Sequence, residues 1–310
     1  MISYKDTLIN GLTKDTIFKP LNKSKNVLHC KYKTLLFKIL KHNRNNKYYE
    51  NICNQIIDII FQISNLSSKL IKIDNLITKY NLTKFSGNIN NHHIYIASRL
   101  IDILSSNKHL YNISSNSTIL DIGGGNGDIL NTLGNEFNIV SSNLYCLEQL
   151  NDNWSESYSK TNNVSYITWN NQNIDLPDNS IDLIIIMVTI HHMTDDTISN
   201  LLKNIQRILK KDGYVIIKEH NMVNYDVKQI IDWEHHLYHL MSDHKNINID
   251  MDKYIETFIN NYKSKAEYDQ LFNSINLIGI QEYNRQLENK IDDNNVTNLY
   301  WKIYRKSYDY

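Results

Sequence analysis

The chain has 310 residues, of which 41% are hydrophobic, and it carries 33 basic and 33 acidic side chains. This length and composition fit a globular protein with a full core. No stretch approaches the roughly 18 apolar residues that span a bilayer, and the three cysteines form no Cys-x-x-Cys pair. We therefore expect a cytoplasmic protein that binds no membrane and has neither a disulfide framework nor a zinc knuckle.

The zero net charge conceals two regions of opposite sign. Residues 1–110 contain 17 Lys and Arg against 6 Asp and Glu, whereas residues 111–310 contain 16 against 27. This asymmetry predicts a basic N-terminal extension, 1–110, followed by a second domain, 111–310. The basic extension could bind a polyanion such as RNA, or it could dock on its own acidic partner.

The N-terminal extension has the apolar periodicity of amphipathic helices, with spacings of three and four residues. The pattern predicts helices over residues 34–40 and 52–63, and a further helix over 92–104 that leads into the second domain. Residues 1–30 are less periodic, and we expect them to form an arm.

Residues 118–127, Thr-Ile-Leu-Asp-Ile-Gly-Gly-Gly-Asn-Gly, contain four of the nine glycines in the chain. They follow an apolar run typical of a β-strand and precede a helical pattern. Glycine tolerates positive φ and lets a ligand approach the backbone closely, and the free N–H groups of a helix start can bind it. The stretch therefore predicts a strand–loop–helix nucleotide site.

The spacing Asp121-x-Gly123-x-Gly125-x-Gly127 resembles motif I of the class I S-adenosylmethionine-dependent methyltransferases. This resemblance implies a Rossmann-like fold, S-adenosylmethionine as the cofactor, and cofactor contacts by the aspartate and the three glycines. A methyltransferase of this class would be an enzyme of the transferase type.

After the glycine loop, strand and helix alternate as in a doubly wound sheet. Residues 144–148 predict the second strand, which ends in Glu148, and its carboxylate can accept hydrogen bonds from both ribose hydroxyls. In the family, an aspartate after strand three contacts the adenine amine. Asn170 and Asn171 stand there in this chain, and an amide oxygen can accept the same hydrogen bond.

Residues 176–182, Leu-Pro-Asp-Asn-Ser-Ile-Asp, lead into an apolar run and then Ile-His-His, and this order resembles the type 11 methyltransferases. The run suits a central parallel strand buried on both faces. Thr189, His191 and His192 follow it, at the sheet edge where ligands bind. We predict cofactor contacts for Thr189 and His192, while a packing role for His192 stays open.

A helix predicted over residues 195–211 leads to a fifth strand over 214–220, which brings Lys218, Glu219 and His220 to the same edge. Three adjacent ionisable groups at this edge are candidate catalytic residues.

His235 lies on a helix predicted over residues 230–239, and we add it to the candidate catalytic residues. His239 is four residues away on the same face, a spacing that can hold a metal ion. The glutamate is not placed as in His-Glu-x-x-His, so no metal site is predicted.

The C-terminal part predicts a helix over 266–275 and an antiparallel pair of strands, 277–283 and 298–304, at the sheet edge. The expected fold is therefore α/β: a Rossmann-like, seven-stranded and mostly parallel sheet with helices on both faces, preceded by the helical extension.

RNA is the predicted acceptor of the methyl group, and a small molecule is the alternative. RNA, methylated on the cap or a base, is favoured by the basic extension and by Ser98, Arg99 and Lys218, which resemble residues of the FtsJ-like RNA methyltransferases. That family's strand-four aspartate has no counterpart in residues 184–188. A small molecule is favoured by the type 11 resemblance and the neutral charge.

In the small-molecule case, the base would be His192, His220 or His235. A third alternative is a non-catalytic methyltransferase-like subunit, because the adenine-binding aspartate is missing. The oligomeric state is open.

Overall fold

The computed structural model describes most of the chain, namely residues 25–40, 47–82, 89–108, 110–149, 163–241, 251–284 and 295–307. Most of the arm expected over residues 1–30 therefore lies outside the described residues, and its last six residues belong to a helix. Contacts divide the chain into two compact units, Met1–Thr83 with Met222–Ile247, and Lys84–Asn221 with Asn248–Tyr310. The domain boundary predicted at residue 110 stays a prediction.

The elements are numbered here in chain order. The helices are α1 (Lys25–Leu40), α2 (Lys47–Gln62), α3 (Leu66–Lys79), α4 (Ile89–Ser106), α5 (Asp128–Phe137), α6 (Asp195–Ile208), α7 (Tyr225–Met241), α8 (Met251–Thr257) and α9 (Lys265–Asn273). The strands are β1 (Ile119–Ile122), β2 (Leu144–Gln149), β3 (Ser165–Trp169), β4 (Ile181–Met187), β5 (Leu209–His220), β6 (Leu277–Asn284) and β7 (Leu299–Lys306). Of the helices named, none is both long and apolar enough to cross a membrane.

The first unit is helical in its described part and contains α1, α2, α3 and α7. Helix α1 packs on α2 and α7, and α3 packs on the same two helices. Ile56 and Ile60 of α2 and Ile73 and Ile77 of α3 are buried, as the three- and four-residue spacing predicts. The helices predicted in this part of the chain are thus confirmed.

The second unit contains a seven-stranded sheet with the order β3-β2-β1-β4-β5-β7-β6. Strands β1 to β5 pair in parallel, and β7 is antiparallel to both β5 and β6. The predicted α/β fold class and the antiparallel pair at the edge are confirmed. The strand order reverses between β1 and β4, and ligands of such sheets bind at the carboxyl ends of the strands on either side of this point.

Helices cover both faces of the sheet. Ile184 and Ile186 of β4 pack in one apolar core with residues of α6 and α9, whereas Leu183 and Ile185 pack in a second core with residues of α4 and α5. Because successive side chains of a strand point to opposite faces, a strand between two helical layers is apolar throughout. The apolar run recognised in the sequence is therefore this central strand.

The helix predicted over residues 195–211 is corrected by the structure, in which α6 ends at Ile208 and β5 begins at Leu209. Leu209 has extended backbone angles, φ −69° and ψ 128°, and its side chain is buried in the core shared with α6. The helix therefore ends three residues earlier than predicted, and the strand begins at Leu209 instead of residue 214.

Candidate functional site

The glycine loop after β1 requires glycine for both backbone and steric reasons. Gly123, Gly125 and Gly127 have φ angles of 74°, 59° and 80°, in the left-handed region that side chains disfavour. A Cβ atom at Gly123 would also lie 2.4 Å from Cγ2 of Thr189. At these three glycines, no side chain covers the backbone of the loop at the carboxyl end of β1, as the sequence predicts.

Asp121 of β1 lies directly beneath this loop. Its side chain is buried, and neither carboxylate oxygen has a hydrogen-bond partner within the described ranges. Burial, and then the nearby charge of Glu148, raise the pKa of Asp121 well above its usual value. A buried carboxylate without a partner is costly, so this residue fits a site that a ligand's hydrogen-bond donors complete.

Glu148 lies near the end of β2, the position expected from the sequence. Its Oε1 accepts a hydrogen bond from the backbone N–H of Gly125 and so holds the loop in place. The Tyr166 hydroxyl donates to the backbone oxygen of Asn126 at 2.6 Å and fixes the next residue of the loop. The neighbouring parallel strands β2 and β3 thus shape the glycine loop from one side.

The two asparagines after β3 differ in their surroundings. Oδ1 of Asn170 accepts a hydrogen bond from the backbone N–H of Gln172 at 3.2 Å. Oδ1 of Asn171 is buried and has no partner in the part of the chain described, while its backbone oxygen accepts a bond from Asn200 at 3.1 Å. Of the pair, Asn171 is therefore the one whose buried side-chain oxygen lacks a partner there.

A tight turn follows β4 and carries Thr189 to His192. Val188 has φ 58°, which is rare for a β-branched residue and costs on the order of 1–3 kcal/mol. Oε1 of Glu219, near the end of β5, accepts hydrogen bonds from the backbone N–H groups of Thr189 and Ile190 at 2.9 and 2.8 Å. The strained turn is thus anchored by a carboxylate on the neighbouring strand.

His191 lies on this turn and forms a buried pair with Glu219. Its Nδ1 is 2.7 Å from Oε2 of Glu219, and both side chains are 0% exposed. Burial raises the pKa of Glu219 to about 7, although His220 and the backbone N–H groups favour the ionised form. In its ionised form, Glu219 accepts a hydrogen bond from Nδ1 of His191 and leaves Nε2 as the basic nitrogen, the arrangement of a general base.

Aromatic rings surround His191. Its ring centroid lies 4.2 Å from that of His192, 5.3 Å from that of His220 and 5.1 Å from that of Tyr262. Nδ1 of His220 is 2.8 Å from the backbone oxygen of Thr297 and therefore donates to it. The structure thus brings Glu219, His192 and His220 together around His191, which was noted in the sequence but not predicted to be catalytic.

Two further candidate catalytic residues, Lys218 and His235, are described by their own contacts. Lys218 is buried, with Nζ 5.6 Å from the ring centre of Trp301, and strand alternation places it on the sheet face opposite Glu219. His235 belongs to α7 in the first unit, where its Nδ1 donates to the backbone oxygen of Ile231 at 2.8 Å. Catalytic roles for Lys218, His220 and His235 stay predictions.

Residues 120–217 match the family model described as "Methyltransferase domain". The matched segment begins in β1 and ends in β5, so it includes the glycine loop, Glu148 and the His191 turn. This region is a class I S-adenosylmethionine-dependent methyltransferase domain. Its cofactor is S-adenosylmethionine, and the chain is an enzyme.

Comparisons with whole proteins add little to this assignment. No curated protein sequence matches the chain. A SAM-dependent methyltransferase of Aquifex aeolicus is similar at 16% identity over 78% of this chain and 98% of that protein, with a TM-score of 0.42. The PH0226 protein of Pyrococcus horikoshii is similar at 15% identity over 68% and 90%, with a TM-score of 0.44. Because both TM-scores are below 0.5, the assignment depends on the family model and on the site.

Proposed function

We propose that this methyltransferase acts on a small molecule, methylating an ionisable O–H or N–H group, with His191 as the general base. The buried pair of His191 and Glu219 carries this proposal. It lies at the carboxyl ends of β4 and β5, and Thr189 of the same turn contacts Gly123 of the cofactor loop. A base is therefore held beside the place where the methyl donor binds.

The cofactor cradle consists of residues whose hydrogen-bonding capacity fits the donor's polar groups. Asp121, buried and unpaired within the described ranges, suits the methionine ammonium. Glu148 suits the ribose hydroxyls, and Oδ1 of Asn171 suits the adenine amine. Thr189 lies at the loop, and His192 lies next to the base. When bound, the cofactor would supply a methyl group attached to a sulfonium sulfur. After transfer this sulfur is that of a neutral thioether.

The chemical role of His191 is to remove one proton from the acceptor. A lone pair of the acceptor oxygen or nitrogen forms the new bond to the methyl carbon, and the acceptor's proton goes to Nε2 of His191. The Glu219 carboxylate keeps the proton of His191 on Nδ1 and stabilises the imidazolium that results. General-base catalysis of this kind contributes typically about 10²- to 10⁴-fold in rate.

RNA is the second candidate acceptor, because residues 1–110 carry 17 basic against 6 acidic side chains. Such a surplus favours binding to phosphates. Within the described residues, however, Arg99 pairs with Asp102 on the same helix, and Lys218 lies over Trp301. These contacts do not favour the FtsJ-like arrangement that would methylate a ribose hydroxyl.

Transfer of a labelled methyl group tests the proposal. The protein is incubated with methyl-tritiated S-adenosylmethionine and, in separate reactions, with an ultrafiltered metabolite extract or with purified cellular RNA. We expect label in the metabolite fraction, and a loss of about 100-fold or more in His191→Ala. His29→Ala, on α1 in the first unit, is the matched control and keeps full turnover. Label in RNA alone would favour the second candidate, and full turnover of His191→Ala would contradict the role of His191.

A further inference from the structure

The two carboxylate oxygens of Glu219 have different partners. Oε1 accepts hydrogen bonds from the backbone N–H groups of Thr189 and Ile190 at 2.9 and 2.8 Å, and Oε2 is 2.7 Å from Nδ1 of His191. The side chain is 0% exposed, so water does not compete for these contacts. A single carboxylate therefore holds both the start of the turn after β4 and the imidazole that the turn carries.

The start of this turn rests directly on the cofactor loop. The Thr189 side chain occupies the space beside Gly123, where a Cβ atom would lie 2.4 Å from Cγ2 and 2.5 Å from Oγ1. The Thr189 hydroxyl also donates to the backbone oxygen of Met187 at 3.0 Å. Because Val188 is strained at φ 58°, the turn needs an external anchor to stay in this position.

We propose that Glu219 is a positioning residue that couples the two halves of the site. Through Oε1 it holds Thr189 against Gly123 and so preserves the shape of the cofactor loop. Through Oε2 it sets the tautomer of His191, with the proton on Nδ1 and the basic nitrogen at Nε2. Only the second role rests on the proposed function, since the first concerns cofactor binding alone.

Substitution by glutamine separates these roles. The amide oxygen of Glu219→Gln can still accept hydrogen bonds from the two backbone N–H groups of the turn. Its NH₂ group can only donate, so Nδ1 of His191 must become the acceptor and the proton must move to Nε2. Glu219→Ala removes both contacts and leaves three polar groups, the N–H groups of Thr189 and Ile190 and Nδ1 of His191, without this partner.

Two measurements on the purified variants test the proposal: calorimetry with S-adenosylmethionine, and ¹⁵N NMR of the His191 ring, assigned by comparison with His191→Ala. Glu219→Gln is expected to keep cofactor affinity within about threefold while the His191 tautomer changes. Glu219→Ala is expected to lose affinity on the order of tenfold, as for the loss of one hydrogen bond to a charged group. Glu136→Ala, an exposed site on α5, is the control and leaves both readouts unchanged.

Two results would overturn the proposal. One is wild-type affinity in Glu219→Ala, since the turn would then need no anchor. The other is an unchanged His191 tautomer in Glu219→Gln, which also decides the matter if Glu219→Ala does not fold. If methyl transfer proves independent of His191 while Glu219→Ala still weakens cofactor binding, the proposed base fails but the anchoring role stands.

Discussion

Asp121 is a single residue that lowers the stability of the folded protein and provides oxygens for binding a ligand. Its carboxylate is buried without a partner in the described part of the chain, and burial raises its pKa. A carboxyl group whose pKa is higher in the folded than in the unfolded state binds more protons when folded. Its contribution to stability is therefore present at low pH and is lost as pH rises toward the folded-state pKa.

We therefore predict that Asp121→Asn is more stable than the wild type at neutral pH. The free energy of unfolding should rise, because the neutral amide has no charge to keep buried, and the difference should vanish in acid, where the carboxyl group is neutral too. Urea unfolding of both proteins across a pH series measures this. A difference between the two proteins that does not change with pH would contradict the raised pKa, and retained cofactor affinity would contradict the binding role of Asp121.

Site residues that lie within one short motif can be predicted from the sequence. Site residues that are brought together by the pairing of distant strands cannot. Asp121 and the glycines lie within one short motif, and Glu148 lies where a strand end is expected. The contact of His191 with Glu219 joins residues that are 28 positions apart in sequence. It exists because β4 and β5 are parallel neighbours whose carboxyl ends coincide. No periodicity in the sequence indicates that Tyr262 approaches the same ring.

Helix α6 follows the turn that carries His191, and the contribution of its N-cap to stability can be tested directly. Thr194 is its N-cap, and its hydroxyl oxygen accepts a hydrogen bond from the backbone N–H of Thr197 at 3.2 Å. Thr194→Ala should lower the free energy of unfolding by about 1 kcal/mol, because an N–H group of the first turn loses its partner. Denaturant unfolding measures this, with Thr194→Ser as the control that keeps the cap. Equal stability of the alanine variant and the wild type would mean that water replaces the cap.

Element types were predictable, whereas element ends were not. The central strand β4 is evident in the sequence because burial on both faces makes it apolar throughout. The end of α6 is not, since Leu209 suits either a buried helix position or a buried strand position. Its place in the core at the start of β5 decides between them.

At the scale of the whole molecule, the charge pattern and the contact pattern divide the chain differently. The charge changes sign near residue 110, but α4 packs with the sheet, and α7 belongs to the helical unit although it follows β5 in sequence. The charge of a sequence segment does not indicate that a later helix, α7, belongs to the same unit as the N-terminal helices. The strand order, with its reversal between β1 and β4, nonetheless follows from the recognised fold class.

The central claim is that the glycine loop and Glu148 bind S-adenosylmethionine, and isothermal titration calorimetry tests it most directly. We predict saturable binding to the wild type and loss of binding in Gly125→Val, because a β-branched residue at φ 59° is strained and its side chain covers the backbone that the ligand approaches. Glu148→Ala should bind more weakly by about 3 kcal/mol, since charge-assisted hydrogen bonds are lost. Circular dichroism confirms that the variants are folded. Equal affinity of the wild type and both variants would contradict this account of the site.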